Sequence, residues 1–228
     1  MPAARKKTSK PAHRILIVDD HPMMRQGLAQ LIGAEPDLAV ICEAGNAAQA
    51  LAGVTARKPD LVLLDISLPD KNGLELIKDL QVLAPKLRIL VVSMHDEALY
   101  AERVLRAGAT GYIMKQEGGR KLLDAIRHVL AGKIYVSEKM SARILEIFSG
   151  HRSEGAASPV ELLSDREFEV FQLIGEGRGT REIAGHLHLS VKTIEVHRAN
   201  IKSKLKIKTA TDLVRSAVRW AETQQLER

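Results

Sequence analysis

RILIVDD, residues Arg14–Asp20, and LVLLD, residues Leu61–Asp65, decide the fold. Each is a short run of Ile, Leu and Val that stops on aspartate. Unbroken aliphatic runs of this length are the pattern of parallel strands buried on both faces. Further on, RILVVS ends at Ser93, and TGYIM is followed by Lys115. Open parallel sheets bind their ligands just beyond the carboxyl ends of the strands. Asp19, Asp20, Asp65, Ser93 and Lys115 are therefore expected at one rim. Three crowded carboxylates repel one another and need a cation. An all-oxygen ligand set suits Mg²⁺, which also keeps waters and a phosphoryl oxygen in its shell.

Outward from these runs, strands are expected at Arg14–Asp19, Leu38–Glu43, Leu61–Asp65, Arg88–Ser93 and Gly111–Met114. Amphipathic stretches start near Met23, Ala47, Gly73, Glu97 and Gly118. Five such βα units predict an α/β, flavodoxin-like (βα)5 parallel sheet with helices on both faces. The strand order 2-1-3-4-5 puts Asp19, Asp20 and Asp65 side by side. The resulting domain spans residues 14–132.

After Gly132 the pattern changes. Ser141–Ser149 reads as a short helix, and GHRSEGAASP (Gly150–Pro159) as an exposed linker, so 133–160 is expected to connect two domains. Residues 161–228 read as a small all-α, four-helix domain. Its helices are expected at Asp165–Gly175, Thr180–Leu187, Val191–Leu205 and Ala210–Ala221. Ser164 with Glu167 forms a capping-box signature, and Ser190 is an N-cap for the third helix. The short spacer His188–Ser190 between the second and third helices fits a helix-turn-helix.

Composition narrows the function classes. No apolar stretch is long enough to span a membrane, and the basic first residues lack the apolar segment of a secretory signal. Cys42 is the sole cysteine, which excludes an intrachain disulfide and favours a reducing, cytoplasmic location. The net charge of +6 is unevenly spread. Residues 1–13 form a basic tail expected to be disordered. Residues 190–208 hold six basic side chains against Glu195 alone. Charge concentrated on one helix is the footprint of a phosphate-backbone partner, although a solvated helix face explains charge alone equally well.

A strand-end carboxylate beside a divalent cation is a competent nucleophile toward a phosphoryl group. Asp65 fills that role, with Ser93 and Lys115 in reach of phosphoryl oxygens. Residues 14–131 resemble the receiver domain of two-component response regulators. The matching stretches are Val18-Asp19-Asp20-His21-Pro22, Leu64-Asp65, Leu68-Pro69, Asn72-Gly73, Ser93, and Gly111-Tyr112 with Lys115. The resemblance implies that Asp65 is phosphorylated by a sensor histidine kinase. It implies that Asp19, Asp20, Asp65 and the backbone carbonyl of Ser67 hold Mg²⁺. It makes Tyr112 an aromatic switch that turns inward as Ser93 moves toward the phosphate; taken alone, Tyr112 reads as an ordinary strand residue. Ser67 and His95 would flank the path of a hydrolytic water.

On a helical wheel of Val191–Lys206, Val191, Ile194, Ile201 and Leu205 share an inward face. Lys192, Ala199, Ser203 and Lys206 lie opposite, flanked by Glu195 and Lys202 on one side and Val196 on the other. Apolar side chains between lysines suit groove reading: Val196 and Ala199 for thymine methyls, Glu195 for cytosine. Thr193 and His197 are expected on phosphates. Arg198 falls on the inner side, burying its stem and offering its head to phosphate or to a neighbouring helix. The stretch from Leu163 to Arg198 resembles the LuxR-type DNA-binding domain, and its pairing with a receiver is the architecture of the NarL/FixJ subfamily. That resemblance implies double-stranded DNA as partner and a homodimer when phosphorylated. Leu213, Val214 and Ala217 would supply the dimer contact, the alternative being that they pack within their own domain.

Two other readings compete. A haloacid-dehalogenase-type phosphatase also uses a strand-end aspartate with Mg²⁺, but needs an acid two residues later, where Ser67 stands. A constitutive DNA-binding protein with a silent receiver would not need the complete acidic set.

Overall fold

The computed structural model describes residues 12–148, 159–187 and 189–226. The expected basic tail, apart from its last residues, and most of the stretch Gly150–Pro159 lie outside them, as does His188. The chain forms two compact units, Met1–Leu145 and Glu146–Arg228.

The first unit holds five parallel strands: β1 (His13–Val18), β2 (Leu38–Ala44), β3 (Leu61–Leu64), β4 (Arg88–Ser93) and β5 (Gly111–Met114). Their order is β2-β1-β3-β4-β5. Successive side chains on a strand point to opposite faces, so Ile15 and Ile17 face one layer and Leu16 and Val18 the other. The first layer is closed by Leu28 and Ile32 of α1 (Pro22–Gly33) and by Leu122, Ile126 and Val129 of α5 (Gly119–Leu130). Helices α2 (Ala47–Arg57), α3 (Gly73–Leu83) and α4 (Glu97–Ala107) complete the unit. Gly53 of α2 meets Leu16, which fixes α2 on the second face.

Both aspartate runs end one residue earlier than expected. β1 stops at Val18 and β3 at Leu64, so Asp19 and Asp65 stand just past their strands. The backbone N–H of Asp65 donates to Val18 O at 2.8 Å, which joins the two strand ends directly.

The segment after α5 departs from the expectation of a free connector. Tyr135 forms a parallel bridge to Gly111, on the open edge of β5. The short helix α6 then runs Glu138–Phe148, starting three residues before its expected Ser141.

The second unit holds α7 (Asp165–Gly175), α8 (Thr180–His186), α9 (Val191–Lys204) and α10 (Ala210–Leu226). α10 is longer than the sequence pattern implied. The capping box at Ser164 and Glu167 is formed, and Ser190 caps α9 through Thr193 N at 3.0 Å. Phe168 and Phe171 of α7 pack on the Trp220 ring, each with centroids 5.6 Å apart. A Cβ on Gly175 would lie 2.7 Å from Ala217 O, so only glycine lets α7 and α10 approach this closely.

Candidate phosphoacceptor site and nucleic-acid interface

The rim expected from the strand ends is formed. Asp19 and Asp65 are buried, and Lys115 spans them, its Nζ 2.7 Å from Asp19 Oδ2 and 2.6 Å from Asp65 Oδ2. Burial raises the Asp65 pKa against the pull of Lys115. Burial works against the Lys115 ammonium too, but Asp65 and Asp19 outweigh it and hold its pKa above the ordinary value. Asp20 is half-buried. Its Oδ1 is enclosed and lies 2.6 Å from His21 Nδ1, without the alignment of a hydrogen bond.

Ligand atoms of Asp19, Asp20, His21 and Asp65 all lie within 4.8 Å of one another. The carboxylates give an oxygen-rich, strongly anionic set, and the enclosed Asp20 Oδ1, without a hydrogen-bond partner, is a ligand of the kind a hard cation takes. These residues therefore fit Mg²⁺.

Ser93 is fully buried, and its Oγ accepts from His95 N at 3.1 Å. Tyr112 is also fully buried, with its ring inside the unit and its hydroxyl donating to His95 O at 2.7 Å. Burial is the main cause of its raised pKa; a hydrogen bond with Ser93 opposes that rise. Ser67 Oγ lies 3.1 Å from His95 Nε2, so the two residues expected to flank the water path touch.

Several supports escaped sequence reading. Arg25 of α1 donates to Asp19 O at 2.6 Å and so holds the loop carrying the aspartates. Asp70 accepts from Ala47 N and Ala48 N, at 2.9 and 3.1 Å, capping α2 from a distant loop. Gly73 has its Cα so near Ile66 that a Cβ would fall 2.4 Å from Ile66 Cα. Only Gly73 carried a sequence signal, as the glycine that follows Asn72 at a helix start.

In the second unit, Ile194 and Ile201 are buried as expected. Val191 is not: it is 41% exposed, at the first residue of α9. Lys192, Glu195, Val196, Ala199 and Lys206 are exposed, while Thr193, His197, Arg198 and Lys202 are partly covered. Val196, at 52% exposure, stands among charged neighbours. Thr193 is engaged by its cap, its hydroxyl 2.7 Å from Ser190 Oγ. His197 Nδ1 is enclosed without a hydrogen-bond partner, and burial, aided by the Arg166 charge, lowers its pKa. Burial also lowers the Arg198 pKa, in keeping with a stem laid against the unit. Lys204, one of the six basic side chains of residues 190–208, binds Glu167 at 2.6 Å and ties α9 to α7.

The dimer contact needs correction. Leu213 and Ala217 have no exposed surface, because the close α7–α10 approach consumes that side of α10. Of the three residues only Val214, 39% exposed, has surface to offer.

Comparison with known proteins agrees with this division. Residues 15–127 match the response regulator receiver domain, and residues 161–217 match the bacterial regulatory proteins of the luxR family. The chain is 35% identical over 210 residues to oxygen regulatory protein NreC of Staphylococcus haemolyticus (strain JCSC1435), covering 90% of this chain and 97% of that one. NreC of Staphylococcus aureus (strain JH9) is 36% identical over the same shares. Among solved structures, a LuxR-family two-component response regulator from Aurantimonas sp. SI85-9A1 is 34% identical with TM-score 0.56, covering 60% of this chain and 99% of its own. RcsB of Salmonella enterica serovar Typhimurium, bound to promoter rprA with the phosphomimetic BeF3-, is 25% identical with TM-score 0.63, covering 90% and 97%. The chain belongs to the LuxR-type response regulators: it is a DNA-binding response regulator of a two-component system. No described helix is long and apolar enough to cross a membrane.

Proposed function

We propose that Asp65 is the phosphoacceptor, and that its phosphorylation controls transcription by changing how the chain dimerises and binds DNA. The observation that carries this reading is the buried meeting of Asp19, Asp65 and Lys115, with buried Ser93 at the end of β4, the strand beside β3. Asp19, Asp20, Asp65 and the backbone carbonyl of Ser67 would hold Mg²⁺, which when bound neutralises charge on the phosphoryl oxygens.

The Asp65 carboxylate forms its bond to phosphorus as the donor's bond to phosphorus breaks, and the donor histidine of a sensor kinase leaves with the electron pair. Lys115, already on Asp65 Oδ2, transfers its contact to a phosphoryl oxygen as a point charge. Ser93 would reach another oxygen by moving toward it, away from His95 N, and His95 is also the residue to which the inward Tyr112 hydroxyl is bonded. Each cycle carries one phosphoryl group: water then attacks the phosphorus, the Asp65 carboxylate leaves with the electron pair, and inorganic phosphate is released. A cytoplasmic location fits the one-cysteine composition and the DNA partner.

On the DNA side, α9 is the groove-reading helix. Val196, Ala199 and Glu195 would meet base edges, while Lys192, Lys202 and Lys206 would meet phosphates, with Thr193, His197 and Arg198 at the groove margin. Val214 would lie in the contact between phosphorylated copies.

The test is labelling of the full chain with acetyl phosphate and Mg²⁺, followed by intact-mass measurement. One phosphate per chain, absent in Asp65→Asn, is expected. A phosphate retained in Asp65→Asn, or repeated turnover of a phosphomonoester, contradicts the reading.

A further inference from the structure

The residues that sense Ser93 also grip the chain as it leaves the sheet. Tyr135 N donates to Thr110 O at 3.1 Å, and Tyr135 O accepts from the backbone N–H of Tyr112 at 2.8 Å. The segment around Tyr135 is thus bonded to the strand residue whose side chain is buried beneath the rim. Two positions on, Ser137 N donates to Glu97 Oε1 at 2.7 Å. Glu97 opens α4, four residues after Ser93. Ser137 in turn caps α6, its Oγ accepting from Met140 N at 3.1 Å. Met140 is buried.

The close approach of this segment to β5 depends on glycine at position 111. A Cβ on Gly111 would lie 2.8 Å from Tyr135 O and 3.0 Å from Tyr135 Cβ. Behind the segment, the Tyr135 ring meets His128 edge-on at 5.8 Å, and Lys133 N bonds to His128 O at 3.2 Å. The segment is therefore held by β5, by the first residue of α4 and by the end of α5.

We propose that residues 133–137 are a conformational strap that reports the state of the phosphoacceptor site to α6, the helix leading toward the second unit. Tyr112 sets the strap's backbone position, Glu97 sets its end, and Ser137 passes both to the first turn of α6. The Tyr112 backbone and the start of α4 are both bonded to the strap, so a rearrangement of Ser93 and Tyr112 that shifts either one moves the strap with it. The coupling needs no contact between the two units, only a helix whose cap is held by a two-state element.

This inference rests on Asp65 being the phosphoacceptor, so the experiment separates the two. Hydrogen–deuterium exchange is followed in the full chain with and without acetyl phosphate and Mg²⁺, alongside intact mass. In the wild type, exchange across residues 138–148 is expected to shift by about fivefold or more, in line with ordinary coupling strengths. The shift is expected to vanish in Asp65→Asn. Glu97→Ala is expected to accept phosphate normally while the α6 response disappears, and Glu97→Gln, whose amide oxygen still accepts from Ser137 N, is expected to keep it. Gly111→Ala provides a second break in the strap, away from α4. A full α6 response in phosphorylated Glu97→Ala and Gly111→Ala overturns the proposal, as does a phosphorylated wild type with a silent α6. Lack of phosphate on the wild type, seen by mass, removes the phosphoacceptor reading and the strap's input with it.

Discussion

Lys115 Nζ sits 2.6 Å from Asp65 and 2.7 Å from Asp19, so one ammonium holds two buried carboxylates together. All three groups are almost wholly out of solvent, with side-chain exposures of 5%, 4% and 2%. Removing one partner from such a cluster leaves charge without compensation.

Lys115→Met is therefore expected to destabilise the receiver at neutral pH by about 3 kcal/mol in the absence of divalent ions. Mg²⁺ supplies positive charge to the same carboxylates, so the deficit is expected to shrink as the ion is added. Urea denaturation followed by circular dichroism, with and without Mg²⁺, measures both. An equal deficit under the two conditions contradicts the shared-site description.

Gly73→Ala places a methyl group 2.4 Å from Ile66 Cα, a backbone atom that cannot rotate aside. The loop after Asp65 must shift, at a cost of about 1–3 kcal/mol for overpacking. Labelling by acetyl phosphate is expected to slow, because Ser67 and Asp65 belong to that loop. Wild-type labelling rates would show that the loop has slack.

The sheet was the most legible part of the molecule, because β1 and β3 are aliphatic runs with one natural ending. Their termini gave away the acidic rim for the same reason. The second unit was legible in its caps and helix periods. What escaped was long-range. Nothing local in Asp70 says that it caps α2, and nothing in Leu213 or Ala217 distinguishes a partner's surface from the side facing α7. The wheel misplaced Val191 because periodicity describes a face, whereas burial depends on whether a neighbour extends that far. The segment at Tyr135 has the sequence of a linker because a single bridged residue has no strand-length pattern.

Glu167 gives the helical unit an acid-sensitive link. Burial raises its carboxyl pKa, but the hydrogen bonds from Lys204 and Ser164 prevail and hold it below the ordinary 4.5. A lowered folded-state pKa means that the stabilisation is complete above pH 4.5 and is lost as pH falls through the folded-state value. Trp220, the sole tryptophan, packs on α7 and reports this unit within the full chain. The difference in its unfolding midpoint between wild type and Glu167→Gln is expected to be largest near neutrality and to shrink below pH 4.5. A pH-independent difference contradicts the link.

On DNA, Lys202→Ala is expected to weaken all sequences alike, whereas Glu195→Ala changes which sequence is preferred. Neutralising about six phosphates per dimer gives a log–log salt slope of about −5. Fluorescence anisotropy across a salt series checks both, and a flat salt dependence contradicts groove docking by α9.

The most direct measurement is the affinity of the full chain for a duplex selected from genomic fragments by its phosphorylated form. With acetyl phosphate and Mg²⁺, wild-type affinity is expected to change by roughly 5–150-fold, the usual range of coupling between sites, and Asp65→Asn is expected not to respond. An unchanged affinity in wild type that carries phosphate on Asp65, or an equal change in Asp65→Asn, would contradict control of DNA binding from the aspartate rim.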